Sequence, residues 1–148
     1  MLPTLTDGDK IIVSVGEKNY EYKDIVVIAQ PGVINEPLVK RVVATGGQWV
    51  DVDYEAGIVY VGNTAENLLP LEEDYIFEPA TDKNADDTNE YPVFVPEGKL
   101  FVLGDNRNNS TDSRSCMVGL IDEDYVLGKV LQGIWSAKNG FGLSTFNI

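Results

Sequence analysis

Short runs of β-branched and aromatic residues, each cut off by Gly, Pro, Asn or Asp, recur along the whole chain and limit what it can fold into. They are Lys10–Val15 (KIIVSV), Ile25–Ile28 (IVVI), Leu38–Thr45 (LVKRVVAT), Trp49–Asp53 (WVDVD), Ile58–Val61 (IVYV), Leu100–Leu103 (LFVL) and Val126–Trp135 (VLGKVLQGIW). Such side chains suit a pleated, half-buried surface, and the residues between them suit turns. WVDVD alternates cleanly, as a strand with one wet face does. No window of 11 or more residues carries a 3.6-residue period. The expected fold is therefore mainly β, with many short strands in an antiparallel barrel or sandwich core.

A chain of 148 residues suits one domain with room for an insertion. Between Glu66 and Glu90 nine acids face a single base, Lys83, and Ala80–Glu90 (ATDKNADDTNE) reads as an exposed, mobile loop. The expected organisation is a β core from residues 1–53 and 97–148, interrupted by an inserted β cap at 54–96.

Composition removes several functions. A net charge of −13 argues against a nucleic-acid partner, which would need clustered Lys and Arg. No run approaches the roughly 18 apolar residues that cross a bilayer, and no basic-then-apolar leader pattern is visible. The chain has no histidine, which excludes Ser-His-Asp and Cys-His mechanisms and most zinc sites. Cys116 stands alone, so there is no disulfide or CxxC pair within the chain. Hydrolysis would have to rest on a lysine, a carboxylate or a metal held by oxygen ligands.

Three segments carry chemistry. Met1–Asp9 (MLPTLTDGD) reads on its own as a turn, with Asp7-Gly8-Asp9 reversing the chain into the next strand. Leu38–Val50 (LVKRVVATGGQWV) sets Lys40 and Arg41 side by side in an apolar strand. Strand neighbours point to opposite faces, so only one of the two faces the core. A lysine among Val39, Val42 and Ala44 would lose hydration, and its pKa would fall toward the neutral amine a general base needs. The competing reading makes both residues edge-strand charges that deter aggregation.

Gly104–Arg114 (GDNRNNSTDSR) follows an apolar strand and reads first as a polar loop of Asx and ST turns. A calcium loop fails on spacing: counted from Asp105, Ser110 stands where Gly is required and Cys116 where Glu is required. What remains is a hydroxyl (Ser110), two carboxylates (Asp105, Asp112) and two guanidiniums (Arg107, Arg114). Such groups orient a base and pair with one another at two points.

Taken in order, PTLxxGD, DIVV, KRVVA before a glycine turn, and GDNRxNSxDSR resemble the conserved boxes of bacterial type I signal peptidases, a Ser–Lys protease family. Gly119–Trp135 resembles the stretch that closes that family's core, so the likeness covers nearly the whole chain. It departs at Thr45-Gly46-Gly47-Gln48, where members often carry Pro-Gly-Asp.

The resemblance implies an endopeptidase that removes N-terminal signal peptides from exported preproteins, cleaving after small residues through an acyl-enzyme. It implies Lys40 as general base and Ser110 as the hydroxyl that orients it. Asp112 and Arg114 match a supporting pair behind that serine, and Asp105 pairs with Arg41 to tie the loop to the lysine strand. Met1, Leu5, Leu38 and Val39 match positions lining pockets for the −1 and −3 side chains, with ordinary core packing as the competing reading. Glu36–Val39 is the corresponding edge for an extended substrate.

The family's nucleophile is the serine immediately before its Met-x-Pro-Thr-Leu run, which here is Met1–Leu5, so the chain as written is expected not to cleave by itself. Its expected place is the cell membrane, held by an anchor outside this sequence, with the catalytic domain on the extracytoplasmic side. The expected partners are signal peptides, without nucleic acid, cofactor or metal. Two other readings stand beside this one: a self-cleaving repressor, which would not carry GDNRNNSTDSR, and a non-catalytic relative such as a pilus-assembly chaperone, which would tend to lose the lysine.

Overall fold

The apolar runs fold as antiparallel strands in a computed structural model that describes residues 1–31, 36–137 and 140–145, with side chains described up to residue 131. In chain order the strands are β1 (Lys10–Ser14), β2 (Ile25–Ile28), β3 (Leu38–Ala44), β4 (Trp49–Asp53), β5 (Ile58–Thr64) and β6 (Asn67–Pro70). Then come β7 (Val93–Phe94), β8 (Lys99–Leu103), β9 (Ile121–Asp122), β10 (Val126–Ala137) and β11 (Gly140–Thr145). A 3-10 turn, Glu123–Tyr125, leads into β10. The larger sheet runs β1-β10-β2-β3-β8-β9 with β11 also on β10, and the smaller runs β6-β5-β4-β7. The mainly β reading holds.

Strand β10 joins the larger sheet by pairing with β2 through Val126–Lys129 and with β1 through Lys129–Ile134. The crossing needs Gly128, because a Cβ there would lie 2.1 Å from the carbonyl oxygen of Ser14.

Strand β8 shows why two cores form. Its residues alternate, so Leu100 and Val102 pack with Val26, Ile28 and Val42, while Phe101 and Leu103 pack with Val43, Val50 and Val59. All four β8 side chains are fully buried, each contributing about 1.5–3 kcal/mol by leaving water. The second of these clusters joins the two sheets.

Trp49–Asp53, grouped with the core at 1–53, pairs with β5 and β7, so the smaller sheet begins at Trp49. The Gly46-Gly47 turn carries the chain across: Gly47 has φ +85°, and a Cβ on Gly46 would lie 2.7 Å from Glu97 Cα. The shift toward acids after residue 53 tracks surface charge, not strand pairing.

Ala80–Glu90 carries no strand, yet it is anchored. Ala80 is fully buried, the N–H groups of Thr81 and Asp82 donate to Asn108 Oδ1 at 3.0 Å each, and Asn89 Nδ2 donates to the carbonyls of Ser113 and Arg114. Tyr54 and Tyr91 donate their hydroxyls to Asp87. The segment is a polar strap over the Gly104–Arg114 loop. Composition registers its hydrophilicity but not its partners.

Candidate active site

Alternation along β3 decides where its two cations go. Lys40 shares a face with Leu38 and Val42 and stands directly across from Val26, so it sits in an apolar row, half-buried. Arg41 turns to the opposite face, across from Leu103. Burial, the largest influence, lowers the Lys40 pKa below its ordinary 10.5; Asp112 pushes back, Arg114 lowers it further, and Asp105 again opposes.

The Lys40 amine donates to Ser110 Oγ at 3.1 Å. Gly104, the residue after β8, makes this contact sterically possible. A Cβ on it would fall 2.2 Å from Ser110 Oγ and 3.7 Å from Lys40 Nζ. The Gly104 N–H donates to Asp112 Oδ2 at 3.0 Å. The same carboxylate accepts from Arg114 Nε and Nη2, both at 2.9 Å, and both side chains are buried. Arg114 Nη2 also donates to the Arg107 carbonyl at 2.7 Å, closing the loop on itself.

Asp105 is fully buried and receives Arg41 at two points, Nε to Oδ1 and Nη2 to Oδ2, each 2.8 Å. Arg41 Nη1 donates to the Lys23 carbonyl at 2.8 Å, and Thr4 donates its hydroxyl to Asp105. Thr4 thereby ties the Met1–Leu5 segment to the loop and to β3. Burial lowers the pKa of the Met1 α-amino group, and the nearby Lys40 lowers it further, so the two amines share one neighbourhood.

Beside them lies a cavity of about 360 Å³ lined by Met1, Leu2, Leu5, Thr6, Ile11 and Val39, together with Asp7 and Asp9. Met1, Leu5 and Val39 are the residues the resemblance put there. Leu38 points to the other face of β3 and packs on the Val26–Ile28 cluster. Ile11, Glu73 and Tyr75 were not singled out from the sequence. Strand β8 pairs with β3 only from Arg41 onward, so among the described residues Leu38–Lys40 is bonded to β2 alone and keeps one edge open. Among the described residues no group of three or more His, Cys, Asp or Glu is placed to hold a metal, and no helix is long and apolar enough to cross a membrane.

An amine seated against a hydroxyl on an antiparallel β scaffold, in a chain without histidine, has the make-up of a hydrolase that works through lysine. Comparison with known proteins gives that class a name. Residues 1–135 match the family model described as signal peptidase, peptidase S26. A probable signal peptidase I-1 of Synechocystis is 34% identical over 156 residues, covering 99% of this chain and 72% of that protein. Signal peptidase IB of Staphylococcus aureus is 36% identical over 143 residues, covering 91% of this chain and 73% of that one. The crystal structure of a signal peptidase I from Enterococcus faecalis V583 aligns with TM-score 0.56 and 29% identity, over 78% of this chain and 98% of that chain. The chain belongs to the signal peptidase family, peptidase S26, whose members are serine endopeptidases.

Proposed function

We propose that this chain forms the catalytic body of an enzyme that cleaves exported preproteins after small residues, with Lys40 as general base. The observation that carries the proposal is the 3.1 Å contact between the half-buried Lys40 amine and the Ser110 hydroxyl. In its neutral form Lys40 takes the proton of the serine that the family places immediately ahead of the Met1–Leu5 run. The serine oxygen then attacks the scissile carbonyl. Collapse of the tetrahedral intermediate expels the amine of the mature protein, which takes the proton back from the Lys40 ammonium. Lys40 next deprotonates a water, which hydrolyses the ester and frees the carboxyl end of the signal peptide.

Ser110 holds the amine in line, Asp112 and Arg114 hold the Ser110 loop, and Asp105 with Arg41 fixes that loop to β3. The open edge at Leu38–Lys40 suits an extended peptide added as a further strand. The cavity at Met1, Leu5 and Val39 suits small side chains. The proposed organisation keeps a catalytic core at 1–53 and 97–148 with a cap at 54–96. The proposed location is the extracytoplasmic face of the cell membrane, where signal peptides present their cleavage sites, and no nucleic-acid partner is proposed for so acidic a chain. The pilus-assembly alternative is not favoured, because the relatives are peptidases and Lys40, Ser110, Asp112 and Arg114 all remain.

A signal-peptide cleavage assay on the full-length gene product tests the proposal. The parent should cut after a small residue and Lys40→Ala should not. Cleavage by Lys40→Ala at the parental rate would overturn it.

A further inference from the structure

Glu73 lies in the acidic stretch Glu66–Glu90, yet its side chain is only 7% exposed. It meets Arg107 at two points, with Nη1 donating to Oε2 at 2.8 Å and Nη2 donating to Oε1. Arg107 is itself sealed from water and sits in the loop just before Ser110. A buried guanidinium is stable only when paired and hydrogen-bonded, and Glu73 supplies the acid.

Arg107 passes this constraint inward. Its Nε donates to the Gly104 carbonyl at 3.2 Å, and its own carbonyl accepts from Arg114. Gly104 is the residue against which the Ser110 hydroxyl packs. The next turn of the cap grips the other end of the loop. The Tyr75 ring lies 4.0 Å from the Arg41 guanidinium, and the Tyr75 hydroxyl donates to Glu73 Oε1 at 3.0 Å. The Phe77 N–H donates to the Asp105 carbonyl at 3.2 Å.

We propose that Glu73 is a positioning residue: through Arg107 it sets the loop that places Ser110 against Lys40, so that the cap and the base act as one unit. This rests on the reading of Lys40 as the base.

Two measurements on Glu73→Gln test it. In the 148-residue chain, NMR follows the titration of the Lys40 amine, which is faced by Asp112, Arg114, Asp105 and the Met1 amino group. A loosened loop admits water to Lys40 and moves its midpoint up toward 10.5. Loss of a negative charge alone would move it down, and a role in stability alone would leave it unchanged in the folded protein. In the full-length protein, kcat for a signal-peptide substrate should fall about 10-fold or more, on a scale where a misplacement of ~1 Å costs ~10² in rate. KM should change little, and Glu73→Asp should recover part of the loss.

An unmoved or lowered midpoint, or a change in KM alone, overturns the proposal. If Glu73→Gln does not fold, the pair Glu73→Met with Arg107→Met removes the unpaired buried charge, and the same upward midpoint is expected there. Lys40→Ala separates the two failures. If it is inactive while Glu73→Gln cleaves like the parent, only this inference fails; if it still cleaves, the base assignment itself fails.

Discussion

Lys40 Nζ rests 3.1 Å from Ser110 Oγ across 70 residues of sequence. The pairing of β3 with β8 closes that distance, and the loop leaving β8 turns back at Gly104 so that Ser110 returns over the strand it faces. Nothing in the contact is local. The turn depends on Asp112 binding the Gly104 N–H and on the Asp105–Arg41 pair anchoring the loop's start.

Ser110→Ala removes the hydroxyl that Lys40 contacts but leaves the amine in its apolar row. Cleavage by the full-length protein should fall by about 10²-fold without vanishing, as for a positioning group. Steady-state kinetics beside Lys40→Ala checks this, because a loss equal to that of Lys40→Ala would assign Ser110 a direct part in bond making.

Gly104→Ala should cost both stability and rate. The new methyl would meet Ser110 Oγ at 2.2 Å and Ser110 Cβ at 2.7 Å, so the serine has to move away from Lys40. Overpacking of this kind destabilises by about 1–3 kcal/mol. Urea denaturation reads that loss, and the cleavage rate should drop by a larger factor than the unfolded fraction explains.

Asp105→Ala strands the Arg41 guanidinium in a buried site and frees Thr4 from the loop. Removing one member of a buried pair costs about 3–5 kcal/mol. Denaturant midpoints should show a loss of that size, well beyond that of removing the exposed Lys18–Asp124 pair.

Val39→Phe projects a ring toward the cavity of about 360 Å³ beside Met1 and Leu5. It should raise KM for substrates with alanine at the −1 or −3 position more than it lowers kcat. Comparison with Leu38→Phe, on the opposite face of β3, separates cavity filling from general damage to the strand.

Much of the fold was legible because the longer strands carry their own pattern. WVDVD and LFVL alternate or run apolar over enough residues to show as β4 and β8. The pairs Val93–Phe94 and Ile121–Asp122 are too short to carry a period, and GFGLST at β11 shows none, so these went unread. The residues alone left Lys40 open to an edge-strand explanation. The family likeness, not spacing, drew it together with Ser110. Glu73 was hidden for a physical reason: nine acids within Glu66–Glu90 look alike in composition, and only the approach of Arg107 buries this one.

The most direct test is the titration midpoint of the Lys40 amine in the 148-residue chain, followed by NMR. Burial disfavours the ammonium, so the midpoint should lie below 10.5. In the full-length enzyme the cleavage rate should then rise with pH through that same midpoint, as the neutral base accumulates. A Lys40 midpoint at or above 10.5 would contradict the account.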